Sequence, residues 1–215
     1  MQLIGSTSWR FAESVPQLLH AALYIRDAVG LAVPAQPELP PPLDADVPDH
    51  SGVLTAEERA IAGADWPGWW RELVGQQLHA ERPAGPDDQS WAQQRMAAML
   101  LVSDPPDFET LADRPALRKA VRAVFFEGCQ WADGVGQAPE QSPGPLFSWE
   151  LTRDVAEEVA FDRGIDLGTI DGRLLALKVR GQWWQLIEPG GLLCSMAVAA
   201  DPTASHVVLR KVFGA

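Results

Sequence analysis

Apolar residues recur near helical spacing over residues 11–30, FAESVPQLLHAALYIRDAVG, at Leu18, Leu19, Ala22, Leu23, Ile25 and Val29. The spacing predicts a helix, with Gly30 as the residue that closes it. The pattern then breaks. Residues 31–52 carry prolines at 34, 37, 40, 41, 42 and 48, which forbid a helix and favour extended chain. A structureless connection of this length is unusual in a compact domain. We read it as a strap lying over the surface, with Leu31, Val33, Leu39, Leu43 and Val47 available to pin it.

Helical spacing returns at Thr55. Thr55 and Glu58 stand at capping-box spacing, so a short helix is expected over 56–64. Asp65 is the expected cap of a second helix, with Pro67 tolerated in its first turn, running on toward Pro83. Residues 82–88, RPAGPDD, read as a turn. Residues 88–103 predict another helix behind Asp88, with Trp91, Arg95, Met99 and Val102 on one stripe. An irregular link follows, and Pro115 opens an amphipathic helix to residue 132. Residues 133–147 are rich in Gly, Pro, Gln and Ser and form the best boundary in the chain.

A helix over 148–164 opens on a Ser or Thr cap and ends at Gly164. The period then changes. Leu175, Leu177 and Val179 alternate with Ala176, Lys178 and Arg180, Gly181 marks a turn, and apolar runs follow at 183–187 and 192–196. A hairpin plus a third strand is expected. The alternative is a winged helix, because Leu167, Ile170, Leu174 and Leu177 also keep helical spacing. Residues 155–181 would then be two helices and 182–195 the wing. Asp201 and Pro202 start a final helix, with Arg210 and Lys211 in its last turn and Gly214 as its stop.

The elements describe an α+β chain that is predominantly α-helical. We expect a helical domain over 1–132, a linker over 133–147 and a small module over 148–215 packed on the first domain. That module would hold a helix, a small antiparallel sheet (hairpin or wing) and the terminal helix. At 215 residues the chain can bury a core without a disulfide or metal staple. No run of about eighteen apolar residues predicts a membrane span, and MQLIGSTSWRFAES lacks the basic start of a secretory signal. Cys129 and Cys194 sit in separate apolar settings and read as free buried thiols. The cytoplasm is the expected location. The excess of 14 arginines over 3 lysines matches GC-rich, bacterial coding.

Charge narrows the partner. A net charge of −12 disfavours nucleic acid and anionic membranes. Residues 38–65 hold seven acids and one base, a net charge of −6, and residues 148–171 hold seven acids and two bases, −5. The tail 172–215 has five bases and two acids, +3. Acidic surfaces mostly serve solubility, but they also steer basic partners.

Candidate chemistry is sparse. Asp44, Asp46, Asp49 and His50 have oxygen ligands at close spacing, yet the loop lacks the glycine and glutamate of an EF-hand and reads as solvated. The four histidines are scattered, with no HExxH and no CxxC, so no metal or other cofactor is expected. GSTSW at 5–9 is not a nucleophile elbow, and neither phosphate-loop nor dinucleotide fingerprint occurs. Glu157 and Glu158 are adjacent on a helix and diverge, which is wrong for paired glycosidase carboxylates.

Nine tryptophans remain to be explained. Trp66, Trp69 and Trp70 cluster on one side of a helix, whereas Trp183 and Trp184 on a strand face opposite ways. Most should be core. A sugar platform would need coplanar exposed rings. The favoured function is a non-catalytic interaction protein: an adaptor, assembly factor or immunity-like inhibitor of a basic protein. Trp69, Trp70, Arg71, Trp184, Glu157 and Glu158 are its candidate contact residues. A small-molecule binder or enzyme with a Trp-lined cleft is the first alternative, with His79, Arg71 or Glu72 converging there. A winged-helix DNA binder using Arg173, Lys178 and Arg180 is the second.

Overall fold

The computed structural model describes residues 9–80, 105–136 and 145–214. The predicted turn at 82–88, the predicted helix over 88–103 and most of the predicted linker lie outside those residues. The chain divides into two compact units, Pro16–Ala138 and a second that combines Met1–Val15 with Pro139–Ala215.

The first unit is helical. Helix α1 (Gln17–Ala28) is buried on almost every side and packs against α2 (Ala56–Ala80) and α3 (Pro115–Gly136). A helix apolar all round belongs at the centre of a bundle. The helix was expected to begin near residue 11, but Arg10–Ser14 form strand β1. Pro16 explains the change: it lacks an N–H, biases Val15 toward extended chain and stands as the cap of α1. At the other end Gly30 takes φ +65°, the Leu31 N–H donates to the Arg26 carbonyl (2.9 Å) and the Gly30 N–H to that of Asp27 (3.2 Å). This is the Schellman closure that the glycine predicts.

The strap is pinned by charge as well as by apolar contact. Leu31 and Leu43 are buried, and Val33, Leu39 and Val47 are half-buried. Arg26 is only 7% exposed; it donates to the Pro40 (2.7 Å) and Pro41 (2.8 Å) carbonyls and pairs with Asp27 (2.6 Å). Asp27 in turn accepts the Leu43 N–H at 2.7 Å. A five-donor guanidinium can serve two successive carbonyls at once.

The Thr55–Glu58 capping box forms in both directions, at 2.8 and 3.2 Å. The two helices expected on either side of Asp65 are one, with Pro67 inside it. Trp66, Trp69 and Trp70 are all buried on the turns around that proline, and tertiary burial outweighs the lost backbone bond. Gly63 brings the helix onto the strap: a Cβ there would stand 2.5 Å from the Ala32 carbonyl carbon. Helix α3 starts at Pro115 as expected and runs to Gly136, four residues into the predicted linker.

The second unit is α+β. Helix α4 (Trp149–Arg163) is capped by Ser148 and closed by Gly164 at φ +62°. Strands β2 (Asp171–Leu177), β3 (Trp184–Glu188) and β4 (Gly191–Ser195) follow, then the short α5 (Met196–Ala199) and α6 (Pro202–Phe213). Sheet order is β1-β2-β4-β3. Only β3 and β4 pair antiparallel; β1 with β2 and β2 with β4 are parallel. The expected sheet was antiparallel, with 175–179 and 183–187 as its hairpin. The hairpin is instead β3–β4, turned at Gly190 (φ +76°). Strands β2 and β4 are buried almost throughout, so they take the central positions and leave the more exposed β3 at an edge. Strand β1, expected in the helical domain, shares this sheet.

Phe11, Leu174, Ala176, Leu192 and Cys194 share one face, against which α4 and α6 close a core with Val155, Val159 and Phe213. Gly172 is required there, because a Cβ would meet the Phe213 ring at 2.7 Å. Glu13 of β1 accepts the Leu146 and Phe147 N–H groups (2.6 and 3.2 Å) and fixes the entry to α4. The winged-helix alternative is overturned: its second helix is β2, and Arg173 is buried against Glu188 at 3.1 Å. A side chain so placed is not offered to a phosphate. No helix among the described residues is long and apolar enough to cross a membrane.

Candidate functional site

The tryptophans of α2 form core, not contact surface. The Trp66 ring stacks on Trp70 (centroids 5.2 Å, planes 15° apart), donates to the Ala22 carbonyl at 3.2 Å and lies under Arg26. Trp69 and Trp70 are buried, which removes both from the expected exposed contact. Trp66 faces α1 through these contacts, and Trp70, one turn on, stacks on it. The polar groups expected to converge in a Trp-lined cleft are each held elsewhere among the described residues. Arg71 turns back to the Pro67 carbonyl (3.0 Å), Glu72 pairs with Arg114 (2.7 Å) and His79 bonds the Gly75 carbonyl of its own helix (2.7 Å).

In the second unit Trp183 is half-buried and Trp184 is 38% exposed, on the same strand as the exposed Ile187. Trp149 is 59% exposed and stacks on Trp9 at 4.9 Å. Rings stacked on each other are not the coplanar pair that a sugar platform needs.

The outer face of α4 is the most distinctive surface. Phe161 is 87% exposed, and Glu157 and Glu158 stand one turn before it, with Asp154 one turn earlier. A helical side chain leans over the turn N-terminal to it, so the ring lies among these carboxylates. They are not equally free. Glu158 accepts from Arg210 and from His206 (3.1 Å), and Asp162 accepts from Arg210 at 2.8 Å. Glu157 has only a loose contact to Arg153 at 3.9 Å, and Asp154 a closer one at 2.8 Å. The basic tail therefore neutralises one edge of the acidic helix and leaves the Phe161–Glu157 edge open. Phe161 was not among the residues singled out from sequence. Its signal was available: the positions three, four and seven before it are all acidic, which puts it on the wet side.

The cluster nearest to general acid–base chemistry is Tyr24, Glu127 and His50. The buried Tyr24 hydroxyl donates to Glu127 at 2.5 Å, and the His50 ring meets the same carboxylate at 3.1 Å. Burial, reinforced by Glu127, pushes the Tyr24 phenol well above its ordinary value, so it holds its proton across the working range. The bonds from Tyr24 and then His50 hold the Glu127 carboxyl below the usual range. The arrangement fastens the strap to α1 and α3. In the Asp44–His50 loop the Ser51 N–H donates to Asp49 at 2.8 Å, and no group of three or more metal-ligating side chains occurs among the described residues.

Neither thiol is poised as a nucleophile. Burial, with Asp133 nearby, pushes Cys129 up to about 11; burial, with Glu13 nearby, pushes Cys194 up to about 12. The native protein should therefore react with a thiol-specific disulfide reagent at pH 8 about 100-fold more slowly at Cys129 than a free cysteine does. Cys194 should react only after unfolding. Rapid labelling of either thiol in the folded protein would count against this environment.

Comparison with protein-family models, with curated proteins and with solved structures found no match.

Proposed function

We propose that this chain is a non-catalytic interaction protein that docks a basic protein on the outer face of α4. The observation that carries the reading is Phe161, exposed in the last turn of α4 with Asp154, Glu157 and Glu158 on the turns before it. Burying a phenylalanine on association yields about 2 kcal/mol. A rim of carboxylates adds orientation and speed of encounter rather than much affinity. Trp184 and Ile187 on the edge strand are exposed as well, but the acid of that strand, Glu188, pairs with Arg173. Of the contact residues expected from sequence, Glu157 and Glu158 belong to this face.

Photo-crosslinking tests the reading. p-Benzoylphenylalanine at position 161 should capture a basic protein in a native lysate, and the same probe at the exposed Ile187 should not. The Phe161→Ser variant should then bind the captured partner about 30-fold more weakly, the equivalent of about 2 kcal/mol. Equal capture at both positions, or unchanged affinity in the variant, would remove the reading.

A further inference from the structure

The ends of α4 and α6 and strand β3 line a cavity of about 380 Å³. Its walls are Val159, Leu186, Arg163, Arg210, Lys211 and Asp162, with Gly214 at the rim. Three of these side chains are cationic and one is anionic. Arg210 is committed to Asp162 and Glu158. Arg163 and Lys211 make no ion pair with any described residue.

Helix ends explain part of this. Arg163 closes α4, and Lys211 lies in the last turn of α6, where a cation is favoured. That accounts for each side chain singly. Three of the terminal carbonyls, those of Phe161, Ala160 and Arg210, already accept from the N–H groups of Gly164, Ile165 and Gly214. What the helix ends leave unexplained is two uncommitted cations lining one concave space with an apolar wall.

We propose that this cavity binds a small phosphate monoester. Two uncommitted positive charges match a dianion, whereas a carboxylate would leave one unanswered. A guanidinium offers a planar fork for phosphate oxygens and an ammonium a point charge beside it. Val159 and Leu186 supply a surface for the organic part, which free phosphate lacks. A polyanion is disfavoured, because Glu157 and Asp154 lie on the outer side of the same helix. A molecule of a few atoms carrying two charges passes them; a nucleic-acid backbone does not. Gly214 lines the space beside Arg163: a Cβ there would meet the Arg210 carbonyl at 2.5 Å and stand 3.5 Å from the Arg163 guanidinium.

The test is a titration of the full chain followed by amide chemical shifts. The probes are phenyl phosphate, inorganic phosphate and benzyl alcohol. Phenyl phosphate should give saturable shifts confined to 159–163, 186 and 210–214. Inorganic phosphate should bind at least tenfold more weakly, and benzyl alcohol should not saturate. The double variant Arg163→Gln/Lys211→Gln should weaken phenyl phosphate at least tenfold. The control Arg153→Gln/Arg180→Gln removes equal charge away from the cavity and should leave binding unchanged. Absence of saturation by about 10 mM phenyl phosphate would overturn the site, as would equal weakening by the two double variants. Equal affinity for the two phosphates would overturn the ester in favour of the free ion. The probe arms use the unaltered protein, so they stand even if a variant folds poorly.

Discussion

Trp66→Ala lowers the stability of the helical unit by about 4 kcal/mol, while Trp184→Ala costs under about 1 kcal/mol. Trp66 is fully buried, stacked on Trp70 and hydrogen-bonded to the Ala22 carbonyl. Its removal leaves a large cavity between α1 and α2, strips the Arg26 guanidinium of its aromatic partner and takes the indole bond from the Ala22 carbonyl. Trp184 stands on an edge strand with more than a third of its surface in water. Urea unfolding followed by circular dichroism at helix wavelengths measures both. Equal losses would mean that the α1–α2 seam does not carry the helical unit.

The second large effect is at Arg26. Methionine keeps the length and much of the volume but makes none of the donor contacts. Arg26→Met should cost about 3 kcal/mol, because it leaves the Pro40 and Pro41 carbonyls and the Asp27 carboxylate without their buried partner. The loss should also be local. Prolines give the strap no regular ladder of its own, so releasing this clasp should expose 31–52 to protease at concentrations that leave the unaltered protein intact. Unchanged stability with unchanged proteolysis would assign the strap's attachment to Leu31 and Leu43 alone.

Features settled within four or five residues were legible from the chain. The Thr55–Glu58 box, the Gly30 closure, the Ser148 and Asp201 caps and the start of α3 at Pro115 all follow from local backbone chemistry. So did the α+β class with its helical majority. Pairing order was not legible, since alternation identifies a strand but not its neighbour. Strands β2 and β4 look like hairpin partners of β3 in sequence, and only burial decides that they lie side by side. Asp65–Pro67 looked like a helix start because the local signal was sound; three buried tryptophans overrode it. The same burial withdrew Trp69 and Trp70 from the candidate contact. Arg26 escaped notice for another reason: a single arginine in an apolar helix reads as a surface residue until its carbonyl partners, fourteen and fifteen positions away, come into view.

The pairing of Arg10 with Asp171 has a consequence for how the chain assembles. During synthesis β1 leaves the ribosome with α1, α2 and α3 still to come, and β2 emerges only after them. Its one neighbour in the sheet arrives late, so β1 must wait, unpaired, through most of translation. Closing so long a loop is entropically slow, and an unmatched strand in the meantime is a template for other chains. Arg10 and Glu13 place opposite charges in its five residues, which discourages such mispairing until the true partner appears. Strand β1 is thus seated only once β2 has been made.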